Sequence, residues 1–237
     1  MGSIIYPPTF RGQPWPRVED TMGFNPASIA GLVLWLRAAN YNPGTGAWAD
    51  ASGTSGHSGS QGTSGFRPTL STSAQLGGKQ TVLFDGADDL LNFTTLVGTP
   101  MTMICAIHPI TTGGRLFEGA NSGGIIIFGS NTQIQLYSNG GPLTATIAAY
   151  QNTGFILSGV WNGASSVLRK GGVQIASGNP GGTALGGAAG WKLGSGQAGG
   201  NTNTHIAEMI CYSRDLNASA EISRPEKYMG SNFSVAA

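Results

Sequence analysis

From Gly31 onward the chain alternates short apolar runs with polar, glycine-rich breaks, the pattern of β-structure. "LVLWLRA" (32–38) is the first run. Others fall at 81–84, 90–95, 101–108, 114–118, 124–128, 133–137, 143–149, 154–161, 165–170, 173–177, 191–194 and 205–213. Gly, Asn or Pro separates them at intervals of about ten residues, the signature of an antiparallel sandwich or jelly roll. In "VLRKGGVQIA", Gly171-Gly172 supplies the positive-φ positions of a two-residue hairpin turn. The stretch 42–65 is Gly/Ser/Thr-rich and reads as loop, with Trp48 as its one anchor. One helix is expected, near the end. Asn217 is placed to cap "ASAEIS", and Pro225 breaks or restarts the helix before "EKYMGSNF".

The last strand predicts what kind of sheet this is. In "HIAEMICYSR", Ile206, Glu208, Ile210 and Tyr212 share one face, and Ala207, Met209 and Cys211 the other. Both faces are largely apolar, so the strand is expected to be central and covered on both sides, with Glu208 where water is scarce.

Residues 1–28 break the pattern. Pro7, Pro8, Pro14, Pro16 and Pro26 forbid a helix and allow at most a sheet edge. The segment also carries Ile4, Ile5, Tyr6, Phe10, Trp15 and Phe24, more large apolar side chains than a free tail holds. An extended N-terminal arm over 1–28, held either by its own domain or by a neighbouring chain and expected on a neighbouring subunit, precedes an all-β domain over 29–237.

Composition narrows the classes. Only 10% of residues are charged, 39 are Gly, and the net charge is +1. There is no basic stripe for nucleic acid and no apolar run long enough for a membrane helix. The start "MGSIIYPPTF" lacks the features of a signal peptide, so synthesis in a cytosol without Sec export is expected. Cys105 and Cys211 then read as buried free thiols.

"GLVLWLRA", "WADASG", "FDGADDLL", "GVWNGASSVLRKGGVQIASG", "KLGSG" and "HIAEMICYSRDLNASAE" occur in this order. Together they resemble the concanavalin A-like lectin/glucanase jelly roll, in its LamG/pentraxin-like branch, over about residues 30–230. The resemblance implies two curved antiparallel sheets packed face to face with a closing helix. It leaves function open, because lectins, glycosidases, adhesins and viral structural proteins share this fold.

The candidate chemistry is sparse. Glycosidases need two carboxylates about 5–9.5 Å apart, and the glucanases of this fold carry them as E-x-D-x-E on one strand. No strand here has that pattern, and Glu208 stands alone, expected to pair with an Arg or accept backbone N–H groups. The chain is therefore expected not to be an enzyme. Asp85, Asp88 and Asp89 cluster around Gly86. They read as a turn between two strands, with aspartates capping the backbone. A calcium site is the alternative, since calcium recurs in LamG and pentraxin relatives, and it would need oxygens from a distant loop. Asp50 or Asn92 are candidates for that. His57, His108 and His205 lack metal-ligand spacing and read as isolated. Trp35, Trp48, Trp161 and Trp191 read as core or rim, with sugar stacking as the alternative. Loops 51–66 and 195–204 are the expected exposed binding surfaces.

Two functions fit. The first is a non-enzymatic structural protein of a virion: a bacteriophage capsid decoration, head fibre or tail-associated protein, made in the host cytoplasm. Its arm would dock on other virion proteins and on copies of itself, and its jelly roll would face outward. The second is a carbohydrate-binding adhesin recognising host surface glycans.

Overall fold

The computed structural model describes residues 23–54, 56–94, 98–119, 125–138, 140–181, 190–196 and 199–236. The strands are β1 (Leu32–Asn42), β2 (Ala47–Asp50), β3 (Gly59–Ser60), β4 (Thr69–Ser73), β5 (Lys79–Asp85) and β6 (Leu91–Phe93). They continue with β7 (Met101–Pro109), β8 (Arg115–Glu118), β9 (Ile125–Phe128), β10 (Gln133–Tyr137) and β11 (Leu143–Thr146). The last are β12 (Phe155–Trp161), β13 (Ser166–Lys170), β14 (Val173–Gly178), β15 (Trp191–Leu193) and β16 (Asn203–Tyr212), followed by helix α1 (Ser223–Phe233).

The strands pair antiparallel in the order β11-β10-β9-β8-β15-β6-β3-β2-β1-β16-β7-β12-β13-β14, with β5 also beside β16 and β4 beside β5. This ribbon folds over on itself into a two-layer jelly-roll sandwich. The crossing is made by β1, whose first half pairs with β16 and whose second half pairs with β2, with a register shift between Leu36 and Tyr41. At the other end β14 lies against β11.

Alternation explains the inner core. Met101, Met103, Cys105 and Ile107 of β7 point inward with Phe155, Leu157 and Trp161 of β12. They meet Ile134 and Leu136 of β10, Leu91 of β6 and Trp191 of β15 from the opposite layer. Phe117 and Trp191 pack edge to face at 4.3 Å. Cys105 and Cys211 are both buried free thiols.

A second cluster lies on the outer face of β7, β12 and β16. Ile104, Ala106, Ile156, Val160 and Ile210 are covered there by Met229 and Phe233 of α1. An ion pair fastens the helix: Arg169 of β13 bonds the Glu226 carboxylate at 2.8 and 3.0 Å, and the Ser158 hydroxyl donates to it at 2.8 Å. Strand β16 is thus central and covered on both sides, as its apolar faces require.

Its faces are divided differently from simple alternation. A bulge between Ile206 and Glu208 puts two residues opposite one. Ile206 therefore joins Met209 and Cys211 in the inner core, while Ala207 joins Ile210 and Tyr212 under the helix.

Three further differences have local causes. The expected loop 42–65 contains β2 and β3, held by the fully buried Trp48, whose indole N–H donates to the Arg37 carbonyl at 2.8 Å. The polar strand β4, "TLSTS", has no apolar alternation to announce it. The segment 216–222 is not helical. Asp215, not Asn217, caps its turn by accepting from the N–H groups of Asn217 and Ala218, and Ala220 is left-handed at φ +58°. The helix starts at Ser223, so Pro225 falls in the first turn, where its missing N–H costs nothing.

The expected hairpin is present: Lys170 pairs with Val173 across Gly171 and Gly172, at φ +56° and +72°. Of the expected arm, Ile4, Ile5, Tyr6, Phe10 and Trp15 lie outside the described residues. The end of that segment packs on the domain. The Phe24 ring lies 5.2 Å from Tyr228, and the Tyr212 hydroxyl donates to the Pro26 carbonyl at 3.1 Å.

Candidate functional site

The three aspartates come together at one edge of the sandwich. Asp85 ends β5, and one oxygen from each of Asp85, Asp88 and Asp89 lies within 4.8 Å of the others. Their first duty is to the backbone. Asp85 Oδ1 accepts from the N–H groups of Ala87 (2.8 Å) and Asp88 (3.3 Å), and Asp89 Oδ2 accepts from that of Asp85 (3.0 Å). Gly86 sits at φ +79°, where a Cβ would stand 2.8 Å from the Asn203 Cβ. A tight turn thus accounts for Asp85, Gly86 and Asp89, with Asp88 contributing its N–H.

Asp85 and Asp88 remain exposed, while Asp89 is buried. Burial raises the Asp89 carboxyl to about 6, and the charges of Asp85 and Asp88 push the same way against the Asp85 N–H bond. Tyr41 beside it is pushed up to about 12, mainly by burial and then by Asp89. The donor set is that of a hard cation such as calcium, but three carboxylates fall short of its six to eight oxygens. Asp50 cannot complete it, because it is engaged with Trp35 N–H and Ser52.

Two loops complete this edge. The Asn201 side-chain amide donates to the Ala87 carbonyl. On the other side the Leu90 N–H donates to the Phe66 carbonyl at 3.1 Å. Phe66 is 42% exposed, one of two large apolar side chains left in solvent among the described residues. Arg67 holds its loop by donating to the carbonyls of Gly44, Gln61 and Gly62. The edge therefore presents an exposed aromatic ring, two exposed carboxylates and an amide. Phe66 and Asn201 were not singled out from the sequence, although a lone Phe in a Gly/Ser loop is a signal.

Glu208 lies elsewhere, on the helix-covered layer. It is 3% exposed, and among the described residues it has neither an arginine ion pair nor a backbone partner of the kind expected. Its Oε1 accepts from the Trp35 indole N–H and, at 3.2 Å, from the Tyr228 hydroxyl. Burial raises its carboxyl above the usual range, against these bonds and the Arg37 charge. The carboxyl lines a cleft of about 300 Å³ whose walls include Arg37, Lys79, Gln80, Tyr228 and Asn232.

The remaining candidates are structural. Trp48, Trp161 and Trp191 are buried, and half-buried Trp35 is covered by the Arg37 guanidinium at 5.4 Å. His108 and His205 are not isolated. Adjacent positions on β7 and β16 stack their rings at 5.1 Å, and each Nδ1 is bonded by a hydroxyl, of Ser73 and Thr81 respectively. Burial and His108 hold His205 down to about 4. Of the loop 195–204, Ser195 and Thr202 are buried, so only part of it is surface.

No protein-family model and no curated protein matches the chain. Solved structures do. The sialidase of Trypanosoma rangeli in complex with sialic acid is 13% identical at a TM-score of 0.61, over 88% of this chain and 34% of the sialidase. Domain 4 of AbnA, a GH43 extracellular arabinanase from Geobacillus stearothermophilus, in complex with arabinotriose, is 14% identical at 0.60, over 82% of this chain and 98% of that domain. A botulinum neurotoxin type C structure, concerned with its interaction with two ganglioside molecules, is 12% identical at 0.51, over 82% and 51% of the two chains. The chain thus spans about a third of the length of the sialidase. At these identities the likeness is one of fold. It defines the class: an antiparallel β-sandwich of the jelly-roll kind.

Proposed function

We propose that this chain is a carbohydrate-binding jelly roll, and that its glycan site is the edge formed by Phe66, Asp85, Asp88 and Asn201. Exposed Phe66, whose carbonyl is bonded by the Leu90 N–H next to the aspartate turn, carries the reading. An aromatic face packs against the C–H face of a sugar, and nearby carboxylate and amide groups fix its hydroxyls. The fold's likeness to proteins solved with sialic acid and arabinotriose supports the same class of ligand. Individual sites of this kind are weak, so the module would act in many copies.

The test is a glycan array probed with the chain displayed as tetramers, beside Phe66→Ala and Asp88→Asn. Retained glycans, and a loss of tenfold or more in Phe66→Ala, are the expected result. An array with no saturable ligand, or one read equally by both variants, overturns the reading.

The proposal takes the module as non-catalytic. Asp85 and Asp89 are committed to backbone N–H groups, and Glu208 is bonded by neutral donors. Reducing-sugar release by the purified chain, abolished in Glu208→Gln, would count against that. Display on a virion is the setting proposed for such a module, and the Pro-rich, apolar segment 1–28 is its support. A chain lacking residues 1–22 is then expected to fold and to fail to join its particle; normal incorporation refutes the setting.

A further inference from the structure

The cleft over Glu208 is a second, separate feature. Strand β5 connects the two places: Lys79 lines the cleft and Asp85 begins the aspartate turn. They are six residues apart on that strand, about 20 Å at the rise of extended chain. Nothing in the glycan edge needs the cleft, and nothing in the cleft needs the edge.

Its chemistry is unusual for a surface depression. Glu208, almost wholly buried, is among its lining residues, and the bonds to its carboxyl come from neutral donors, Trp35 and Tyr228. Two cationic side chains, Arg37 from β1 and Lys79 from β5, stand at the rim exposed, and among the described residues neither forms an ion pair. Two amides, Gln80 and Asn232, line the walls with the Tyr228 ring. At about 300 Å³ the space is at the lower end of small-molecule sites, enough for a single ring.

We propose that this cleft binds a small hydroxylated carboxylate of the sugar-acid class. The ligand carboxylate lies between Arg37 and Lys79, neither of which forms an ion pair among the described residues. Its hydroxyls meet Gln80, Asn232 and the free side of Glu208. A plain cation is repelled by the rim, and a plain neutral sugar brings no counter-charge to either cation.

The arrangement makes binding depend on pH. The charged and titratable groups acting on Glu208 are Arg37 from β1 and Tyr228 from α1, with Lys79 of β5 lining the same cleft and His205 and Tyr212 on its own strand. Protonated, Glu208 donates to the ligand. Ionised, it opposes the ligand carboxylate. Burial holds the proton on to a higher pH than usual. Affinity therefore falls as pH rises through the Glu208 titration.

Calorimetric titration with sodium D-glucuronate tests this, with D-glucose and sodium acetate as matched probes. Glucuronate is expected to saturate one site at concentrations where glucose and acetate do not. Arg37→Ala and Lys79→Ala, both at exposed positions, are each expected to weaken it fivefold or more. Glu208→Gln keeps an oxygen for Trp35 and Tyr228, so it is expected to bind at every pH as wild type does under acid conditions. Phe66→Ala is expected to change nothing, which separates this site from the proposed glycan edge. No saturable glucuronate binding overturns the proposal. So does equal affinity for glucose or acetate, indifference to both cation variants, or an unaltered pH dependence in Glu208→Gln.

Discussion

The aspartate turn and the Glu208 cleft are both built around carboxyl groups, and they differ in almost every other respect. The turn comes from five consecutive residues, and the carboxylates of Asp85 and Asp89 bond the nearest backbone N–H groups. The cleft comes from three strands and a helix, with partners as far apart in sequence as Trp35 and Glu208. The carboxylate bonds of the turn belong to local chain geometry. The cleft exists only while α1 is docked, because Tyr228 and Asn232 are on that helix. A carboxyl held locally serves the backbone first; one held by tertiary packing has bonds only from other side chains.

The largest test of that contrast is to release the helix. Glu226→Ala leaves Arg169 nearly buried without its anion and is expected to cost about 3–5 kcal/mol, measured by denaturant unfolding. The glucuronate binding proposed for the cleft should be lost before the aspartate edge changes. A cost under about 1 kcal/mol would mean that the pair is not what holds α1.

Next is Tyr228→Phe, which removes one of two donors to a buried acceptor. The expected cost is about 1–3 kcal/mol. Asp85→Ala, which strips two local bonds from the turn, is expected to cost less, about 0.5–2 kcal/mol. If Asp85→Ala proves the more damaging by thermal melts, the turn is more than a local cap.

Acid titration gives a smaller effect of known sign. Asp89 is raised from 3.8 unfolded to about 6 folded, so the native state binds the proton more tightly. Its contribution is fully present below 3.8 and is lost as pH rises through about 6. His205, lowered from 6.5 to about 4, runs the other way: its contribution is lost as pH falls across that range. The useful quantity is therefore the difference in melting temperature between wild type and Asp89→Asn. That difference should change steadily between pH 4 and 6, and a flat one refutes the assignment. The smallest expected effect is that of calcium. If the cluster is only a turn, calcium and EDTA leave the melting temperature alike, whereas a calcium-dependent rise lost in Asp88→Ala/Asp89→Ala makes it a cation site.

Much of this molecule was legible along the chain, for a physical reason. Apolar alternation interrupted by glycine dictates strands and turns, so the sandwich, the Gly171-Gly172 hairpin and the double-sided burial of β16 follow from neighbours in sequence. The aspartate turn follows likewise, because the bonds its carboxylates make reach no further than four residues, although Asn201 reaches its Ala87 carbonyl from far along the chain. Tertiary structure decided the rest. Strand β4 is polar and exists because β5 pairs with it. The bulge in β16 moved Ile206 to the opposite face, and no period in the sequence encodes it. The His108–His205 stack, the Arg169–Glu226 pair and the cleft around Glu208 join residues brought together by register and helix docking. Such sites depend on distances through space, and a linear pattern carries only distances along the chain.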